Sequence, residues 1–268
     1  MESWDTVNEL ADLAEYTQQL TDYTMELKAR AGDKKLQEFA EMRKFPLEII
    51  KQSDIFYIDD ATEMLIPRYF SQLDEFGIIS PTNKKPIFHN RYVIPIKDIH
   101  GNILNLVGYS KEADERYIYG TAKNYRRRET KYGLENLKLA YELVYAIFTE
   151  GITDAIRMRS LGYLNTFANC GTHKSEFIMK QLNRCRHGII KIPDRDKAGQ
   201  EALKKWKCNR SITLNTFIKY KDIDEMCRDK DENIEWVKEY INVCIDWILS
   251  AEHRGHIGTS QSQVITMY

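Results

Sequence analysis

The sequence contains few cysteines, and their spacing gives no sign of a zinc ribbon or a disulfide framework. The chain has five cysteines in 268 residues: Cys170, Cys185, Cys208, Cys227 and Cys244. Their number is odd, and no two have the CxxC spacing of a zinc ribbon. The pattern therefore predicts no zinc, and a reducing, cytoplasmic compartment fits it best.

Long apolar runs and an excess of positive charge are also missing. No run approaches the roughly 18 apolar residues of a membrane span, and the acidic start at residues 1–5 is unlike a signal peptide. The 39 Lys and Arg residues face 40 Asp and Glu residues, which gives a formal net charge of −1. We expect no membrane partner, and any basic surface for nucleic acid has to be local.

Acidic residues follow two short apolar runs of the second half of the chain. Glu150 follows the apolar run of residues 143–148, and Asp194 and Asp196 follow the apolar run of residues 188–192. Short β-branched runs between turn signals predict buried strands, and parallel strands bring their carboxyl ends to one edge of a sheet. The three carboxylates would form a cluster of hard oxygen ligands suited to Mg²⁺ or Mn²⁺.

A simpler interpretation of these acids is available. Glu150 would then be a solvated loop residue, while Asp194 and Asp196 would cap the helix that follows them. Asp222 and Asp224 come just after a later predicted strand. They can approach the same sheet edge or cap the next helix, and both interpretations stay open.

Strand and helix patterns alternate through the second half of the chain. Strands are predicted at 163–168, 189–192 and 212–218, and helices at 175–183 and 197–206. Strands separated by helices predict an α/β fold, a parallel sheet with helices on both faces. A helix at 234–249 closes this domain, and the tail from residue 250 is rich in Ser, Gly, His and Gln, which predicts disorder.

The first half predicts a smaller, mixed α+β subdomain. Residues up to about 43 have a helical apolar period, and a further helix is predicted at 69–79. Residues 91–97 and 103–109 predict a β-hairpin, with Pro95 arguing for an edge position. We divide the chain into a helical N-terminal extension (1–44), a basic α+β subdomain (45–135), the α/β domain (136–232), a C-terminal helix (233–249) and the tail (250–268).

A local basic segment lies between the hairpin and the α/β domain. Residues 115–131 carry six cations and two acids, with tyrosines interleaved. The cations are Arg116, Lys123, Arg126, Arg127, Arg128 and Lys131. A charge run is often only a solvated face, but guanidinium groups bind phosphate bidentately and aromatic rings stack on bases. We favour contact with nucleic acid or triphosphate.

These motifs resemble those of known families. Glu150-Gly151 after one strand and Asp194-x-Asp196-x-x-Gly199 after another are similar to the paired signature of the Toprim domain. The hairpin that begins at Arg91 resembles a motif of bacterial DnaG-type primases. Further similarities to that family, in its order, are Tyr132-Gly133-Leu134, the Glu-Gly-x-x-Asp motif ending at Asp154, Gly171-Thr172, and Asp222-x-Asp224-Glu225.

The resemblance implies a primase catalytic core that makes short RNA primers on a single-stranded DNA template from ribonucleoside triphosphates. It implies catalytic roles for Glu150, Asp194 and Asp196, with metal bound by the two aspartates. Glu150 either ligates the metal or assists proton transfer, and Asp222 and Asp224 are the further candidate ligands. By resemblance, Arg91, Arg116 and Arg127 fall where the family keeps basic residues for nucleotide and template, and from the charge run we assign the other four cations of the basic segment to the same contacts. Supporting roles fall to Gly151, Asp154, Gly171, Thr172 and Gly199. A replicative helicase or other replication protein is the expected partner, in the cytoplasm of a cell or of a phage-infected host.

Two features of the family's longer members have no counterpart in these residues. No cysteine precedes Cys170, so we expect no amino-terminal zinc ribbon, and few residues follow the last predicted helix. The chain is in this respect similar to the reduced primases of phages and mobile elements. The alternatives are a Toprim-family nuclease, which would cut with the same acids, and a non-catalytic Toprim accessory protein of replication or recombination.

Overall fold

The computed structural model describes residues 4–120, 131–170, 176–216, 219–250 and 261–266. The chain divides into two compact units, Met1–Arg126 and Arg127–Tyr268. No helix in these described ranges is long and apolar enough to cross a membrane.

The first unit contains three helices followed by an antiparallel sheet. The helices are α1 (Trp4–Ala31), α2 (Leu36–Arg43) and α3 (Leu47–Gln52), and the strands are β1 (Phe56–Ile58), β2 (Arg91–Lys97), β3 (Ile103–Tyr109) and β4 (Tyr117–Tyr119). The strands lie in the order β1-β2-β3-β4. The hairpin of β2 and β3 has the bounds that the sequence predicts, and the turn between them contains Gly101 at a φ of 89°.

The helix α1 belongs to the core of this unit. Leu20, Tyr23 and Leu27 are fully buried in one cluster with Phe56 of β1 and with residues of β2 and β3. Apolar side chains three or four residues apart form one face of a helix, and here that face covers the sheet. The helical extension predicted at 1–44 thus belongs to the unit Met1–Arg126, because the apolar face of α1 packs on the sheet of that unit.

Two local expectations in this unit need qualification. The strand β2 is interior, yet β1 pairs with it only as far as Val93, so Pro95 has a strand partner on the β3 side alone. A proline is tolerated at a position where the strand forms backbone hydrogen bonds to a neighbouring strand on one side only. The prediction of a helix at 69–79 is wrong. A 3-10 turn at Pro67–Tyr69 is followed by a series of turns, in which the side chains of Leu73 and Phe76 are buried.

The second unit is an α/β domain. Its elements are β5 (Lys131–Tyr132), α4 (Leu137–Glu142), β6 (Tyr145–Thr149), α5 (Ile152–Ser160), β7 (Thr166–Asn169), α6 (Glu176–Leu182), β8 (Gly188–Ile192), α7 (Lys197–Lys205), β9 (Arg210–Asn215), α8 (Ile223–Asp229), α9 (Glu232–Ser250) and β10 (Gln261–Thr266). The sheet order is β10-β9-β8-β6-β7-β5. The pairs are parallel except for β5 with β7, which confirms a parallel sheet flanked by helices.

The C-terminal part of the chain belongs to this sheet. The helix α9 buries Val237, Ile241 and Cys244 in a cluster with Ile190 and Ile212 of the strands β8 and β9. The strand β10 pairs in parallel with β9 over six residues, which corrects the expectation of a disordered tail for residues 261–266. A β-rich segment there covers what would otherwise be an edge strand.

Candidate active site

The three predicted acids come after the ends of two neighbouring parallel strands, at the same edge of the sheet. Glu150 directly follows β6, and Asp194 comes two residues after β8. These strands are adjacent and in register, with Thr149 opposite Ile192. The structure therefore brings the acids together, as the strand pattern predicts.

A lysine that the sequence analysis did not single out joins the two aspartates. The Nζ atom of Lys221 lies 3.0 Å from Oδ2 of Asp194 and 3.3 Å from Oδ2 of Asp196. Both carboxylates help raise the pKa of Lys221 above its ordinary value against the opposing effect of burial. Lys221 comes just before Asp222, and only its proximity to the Asp222-x-Asp224 motif could have drawn attention to it.

Glu150 is the least satisfied acid of the site. Its Oε2 atom is buried and has no hydrogen-bond partner among the described residues. Burial, followed by the negative charges of Asp194 and Asp196, raises the pKa of Glu150 to about 7. A buried carboxylate oxygen without a donor is costly in its charged form, so this atom is available to a cation or a proton.

Asp194 and Asp196 have pKa values shifted in opposite directions. Burial raises the pKa of Asp194, although its ion pair with Lys221 opposes the shift. Asp196 caps α7, and its Oδ1 atom accepts a hydrogen bond of 2.8 Å from the backbone N–H of Gly199. That bond is the main cause of the lowered pKa of Asp196. Asp196 is therefore both a helix cap and a member of the acidic cluster.

Two glycines leave room for the acids. A Cβ atom on Gly151 would lie 2.4 Å from Oδ2 of Asp154, and one on Gly199 would lie 2.3 Å from the carbonyl oxygen of Asp194. Both distances are shorter than non-bonded carbon and oxygen atoms tolerate. The supporting positions inferred for these glycines thus have a steric basis.

Asp154 lies beneath the cluster, in the first turn of α5. It is buried, and its Oδ1 atom accepts a hydrogen bond of 3.1 Å from the backbone N–H of Asp224. Burial is the main cause of a strongly raised pKa of Asp154, and the charges of Asp222 and Asp194 add to it. The side chain links the first turn of α5 to the start of α8.

The two later aspartates have different surroundings. Asp222 caps α8 by accepting a hydrogen bond of 2.7 Å from the backbone N–H of Glu225, and burial raises its pKa. Asp224 is buried and ion-paired through both oxygens: Oδ1 with Arg157 at 3.0 Å and Oδ2 with Arg228 at 2.9 Å. The structure therefore does not support Asp224 as a metal ligand, because two guanidinium groups already neutralise its charge.

The chemistry of the acids fits a divalent ion, although the set is not assembled as a ligand sphere. In the described part of the chain, no three His, Cys, Asp or Glu side chains are placed to hold a metal ion as they stand. Even so, Glu150, Asp194 and Asp196 offer hard oxygen donors, one of them unpartnered. Close carboxylates repel one another, and a hard cation removes that repulsion.

Comparison with known proteins finds similarity to one family model and to curated relatives. Residues 147–232, which contain all of these acids, match the Toprim-like family. The DNA primase of Borreliella burgdorferi is 25% identical over 225 residues, covering 81% of this chain and 42% of the relative. The DNA primase of Aquifex aeolicus is 29% identical over 168 residues, covering 60% of this chain and 33% of the relative.

Solved structures agree in fold. A DnaG primase catalytic domain bound to single-stranded DNA superposes with a TM-score of 0.70 at 17% identity, covering 90% of this chain and 83% of that one. The chain has the fold of the DnaG-type primase catalytic core, with a Toprim domain. The Aquifex aeolicus primase with its zinc-binding and RNA polymerase domains gives a TM-score of 0.69 at 20% identity, covering 91% of this chain and 63% of that one. The chain spans less than half of the two curated relatives.

The predicted basic residues of the primase fold have varied surroundings. Arg91 is buried, and its Nη1 atom donates to the carbonyl oxygens of Glu115, at 2.9 Å, and Arg116, at 3.2 Å. It lines a pocket of about 420 Å³ together with Lys35, Lys111 and other residues of the first unit. Arg116 is exposed. The predicted site residues Lys123, Arg126, Arg127, Arg128, Gly171 and Thr172 lie outside the described residues.

Lys131 does not have the surface position that its predicted role requires. It lies in β5, and its side chain is fully buried. The Nζ atom has no hydrogen-bond partner in the described ranges, and burial lowers the pKa of the ammonium group. The structure therefore does not support Lys131 as a contact for nucleotide or DNA, because its side chain is buried on the edge strand β5.

Proposed function

We propose that this chain is the catalytic core of a DNA primase, which joins ribonucleotides on a single-stranded DNA template with Mg²⁺ or Mn²⁺. The observation that carries the proposal is the meeting of Glu150, Asp194 and Asp196 at the ends of adjacent parallel strands in a Toprim domain. The relatives named DNA primase and the DnaG structure solved with single-stranded DNA support the reaction and the template.

The acids of the site would hold the divalent ion. Glu150 would contribute its unpartnered Oε2 atom, and Asp194 and Asp196 their carboxylate oxygens. When bound, such an ion neutralises charge on the reacting phosphate and lowers the pKa of an attacking hydroxyl. Asp222 keeps α8 in place as its cap and is a further candidate ligand.

Glu150 has a second possible task at the same position. A carboxyl group with a pKa of about 7 exchanges a proton readily at neutral pH. Glu150 would then accept the proton of the primer 3′-hydroxyl at its Oε2 atom. Asp154 supports Glu150 indirectly, because it holds the first turn of α5 through the backbone N–H of Asp224.

The template and the triphosphate would contact the basic residues of the chain. In the first unit, Lys35, Arg91 and Lys111 line one pocket together with Tyr57 and Tyr92. Cations interleaved with aromatic rings are suited to single-stranded nucleic acid. We include Arg116 and the basic segment Lys123, Arg126, Arg127 and Arg128 in this function. We place the activity in the cytoplasm, with a replicative helicase as the expected partner.

One assay tests the proposal against a nuclease or a non-catalytic protein. Purified protein is incubated with labelled ribonucleotides, single-stranded DNA and MgCl₂ or MnCl₂, and both extension and cleavage products are scored. We expect primer synthesis, and we expect Asp194→Ala and Asp196→Ala to reduce it at least 100-fold. Glu201→Gln is the matched control, since this exposed acid of α7 pairs only with the neighbouring Lys204 among the described residues.

The other outcomes separate the alternatives. Cleavage without extension would indicate a Toprim nuclease. Folded protein that neither extends nor cleaves would indicate an accessory role. Activity that persists in Asp194→Ala would contradict the assignment of these acids as the active site.

A further inference from the structure

Lys221 is built into the acidic cluster. Its carbonyl oxygen accepts a hydrogen bond of 2.7 Å from the backbone N–H of Arg195, which lies between Asp194 and Asp196. Its own backbone N–H donates to Oε2 of Glu225 at 2.7 Å. The loops that follow β8 and β9 are therefore joined at Lys221, and the backbone directs this side chain toward the two aspartates.

The ammonium group uses the oxygens that a divalent ion would need. In Asp196, Oδ1 caps α7 and Oδ2 lies beside Lys221 Nζ. In Asp194, Oδ2 is also beside Nζ. A divalent ion at these oxygens and the ammonium group would repel each other at such short range. Binding of the ion thus requires Lys221 to move away.

The side chain of Lys221 is free to make that movement. It is 54% exposed, whereas the side chain of Asp194 is only 12% exposed. Turning a half-exposed lysine into solvent gives up little packing, because its charged end stays hydrated. The aspartates, in contrast, are fixed by the strand end and by the cap of α7.

We propose that Lys221 is an internal counter-cation, which holds Asp194 and Asp196 together in the ion-free protein and is exchanged for the divalent ion. This positioning role rests on the proposed function, in which these acids bind the ion. Before the ion binds, the positive charge of Lys221 reduces the repulsion between the carboxylates of Asp194 and Asp196. It thereby keeps the Oδ2 atoms of both side chains close to one point. The same contact sets how readily the site takes up the ion.

The test measures ion binding directly. Isothermal titration of MnCl₂ into chelator-treated protein compares the wild type with Lys221→Met, which keeps the length of the side chain and removes its charge. We expect Lys221→Met to bind Mn²⁺ about fivefold or more tightly, because no ammonium group has to leave. Its ion-free melting temperature falls, while that of the Mn²⁺-loaded form stays at the wild-type value.

Two further variants complete the design. Lys221→Arg retains the charge and should keep an ion-free melting temperature near the wild type. Lys180→Met removes an equivalent charge from the exposed face of α6 and should change neither quantity. Unchanged or weaker Mn²⁺ binding by Lys221→Met, or an equal gain in Lys180→Met, would overturn the exchange. Priming is assayed separately, so ion exchange without primer synthesis would contradict the proposed function and leave the role of Lys221 intact.

Discussion

At the scale of single residues, the acids of one cluster have opposite protonation behaviour. The pKa of Glu150 is raised to about 7 by burial and by two negative neighbours, whereas a backbone N–H donor lowers the pKa of Asp196. A strand end buries a side chain, while a helix start supplies N–H donors. Carboxyl groups of one cluster thus acquire different pKa values from the strand end or the helix start beside them.

The raised pKa of Glu150 predicts a pH effect on the ion-free protein. Its pKa rises on folding from the ordinary 4.5 to about 7, so the folded state binds more protons in that range. Stability is then lost as pH increases through the interval. We expect Glu150→Gln to stabilise the protein at pH 8 by on the order of 1–2 kcal/mol, since the group is half-buried, with little difference at pH 4.5. Denaturant unfolding at both pH values measures this, and an equal effect at both would contradict it.

Asp222 and Asp224 should respond differently to replacement, although both belong to the same motif. Asp224→Ala leaves the buried Arg157 without this partner, and we expect a loss of about 3–5 kcal/mol of stability. Asp222→Ala removes a helix cap, which costs about 1 kcal/mol. Urea unfolding separates the two, and a Mn²⁺ titration shows whether Asp222 also contributes to ion binding. Equal losses of stability would argue against the structural assignment of Asp224.

At the scale of elements, the start of α7 shows how closely the helix approaches the site. Alanine normally stabilises a helix over glycine by about 0.5–1 kcal/mol. At Gly199, however, a Cβ atom would lie 2.3 Å from the carbonyl oxygen of Asp194. We expect Gly199→Ala to lower the melting temperature and to weaken Mn²⁺ binding, because α7 and the Asp194 backbone must separate. Glu201→Ala, on an exposed position of the same helix, is the control and should not destabilise. A Gly199→Ala protein as stable as the wild type would refute the close packing.

The sequence predicts the order of strands and helices in the Toprim domain, but it does not predict the surroundings of every charged side chain there. Strands and helices of different period alternate there, so the sheet edge that carries Glu150 and Asp194 could be predicted. The ion pairs of Lys221 with Asp194 and of Asp224 with Arg157 join residues that are far apart in sequence, and no local pattern encodes them. The charge of Lys131 predicts a surface position, whereas its side chain is fully buried, and no local pattern of the sequence indicates that burial.

At the scale of the whole molecule, the chain has the fold of a DnaG primase catalytic domain and spans less than half of two longer relatives. It covers 83% of a DnaG catalytic domain but 63% of an Aquifex aeolicus structure that also includes a zinc-binding domain. Its five cysteines lie apart in sequence and are free thiols in the described structure. The described cysteines therefore give no cluster of thiolates that could hold a structural zinc ion.

The metal content of the chain and the first step of synthesis can be measured together. A structural zinc site needs four closely spaced thiolates or imidazoles, and these 268 residues have no CxxC pair. We expect elemental analysis of the purified chain to find well under one zinc per molecule. We expect these 268 residues to extend a supplied dinucleotide about tenfold or more faster than they initiate from single nucleotides, because orienting two free reactants is the harder step. One tightly bound zinc per chain, or equally fast initiation, would show that these residues include a template-reading element.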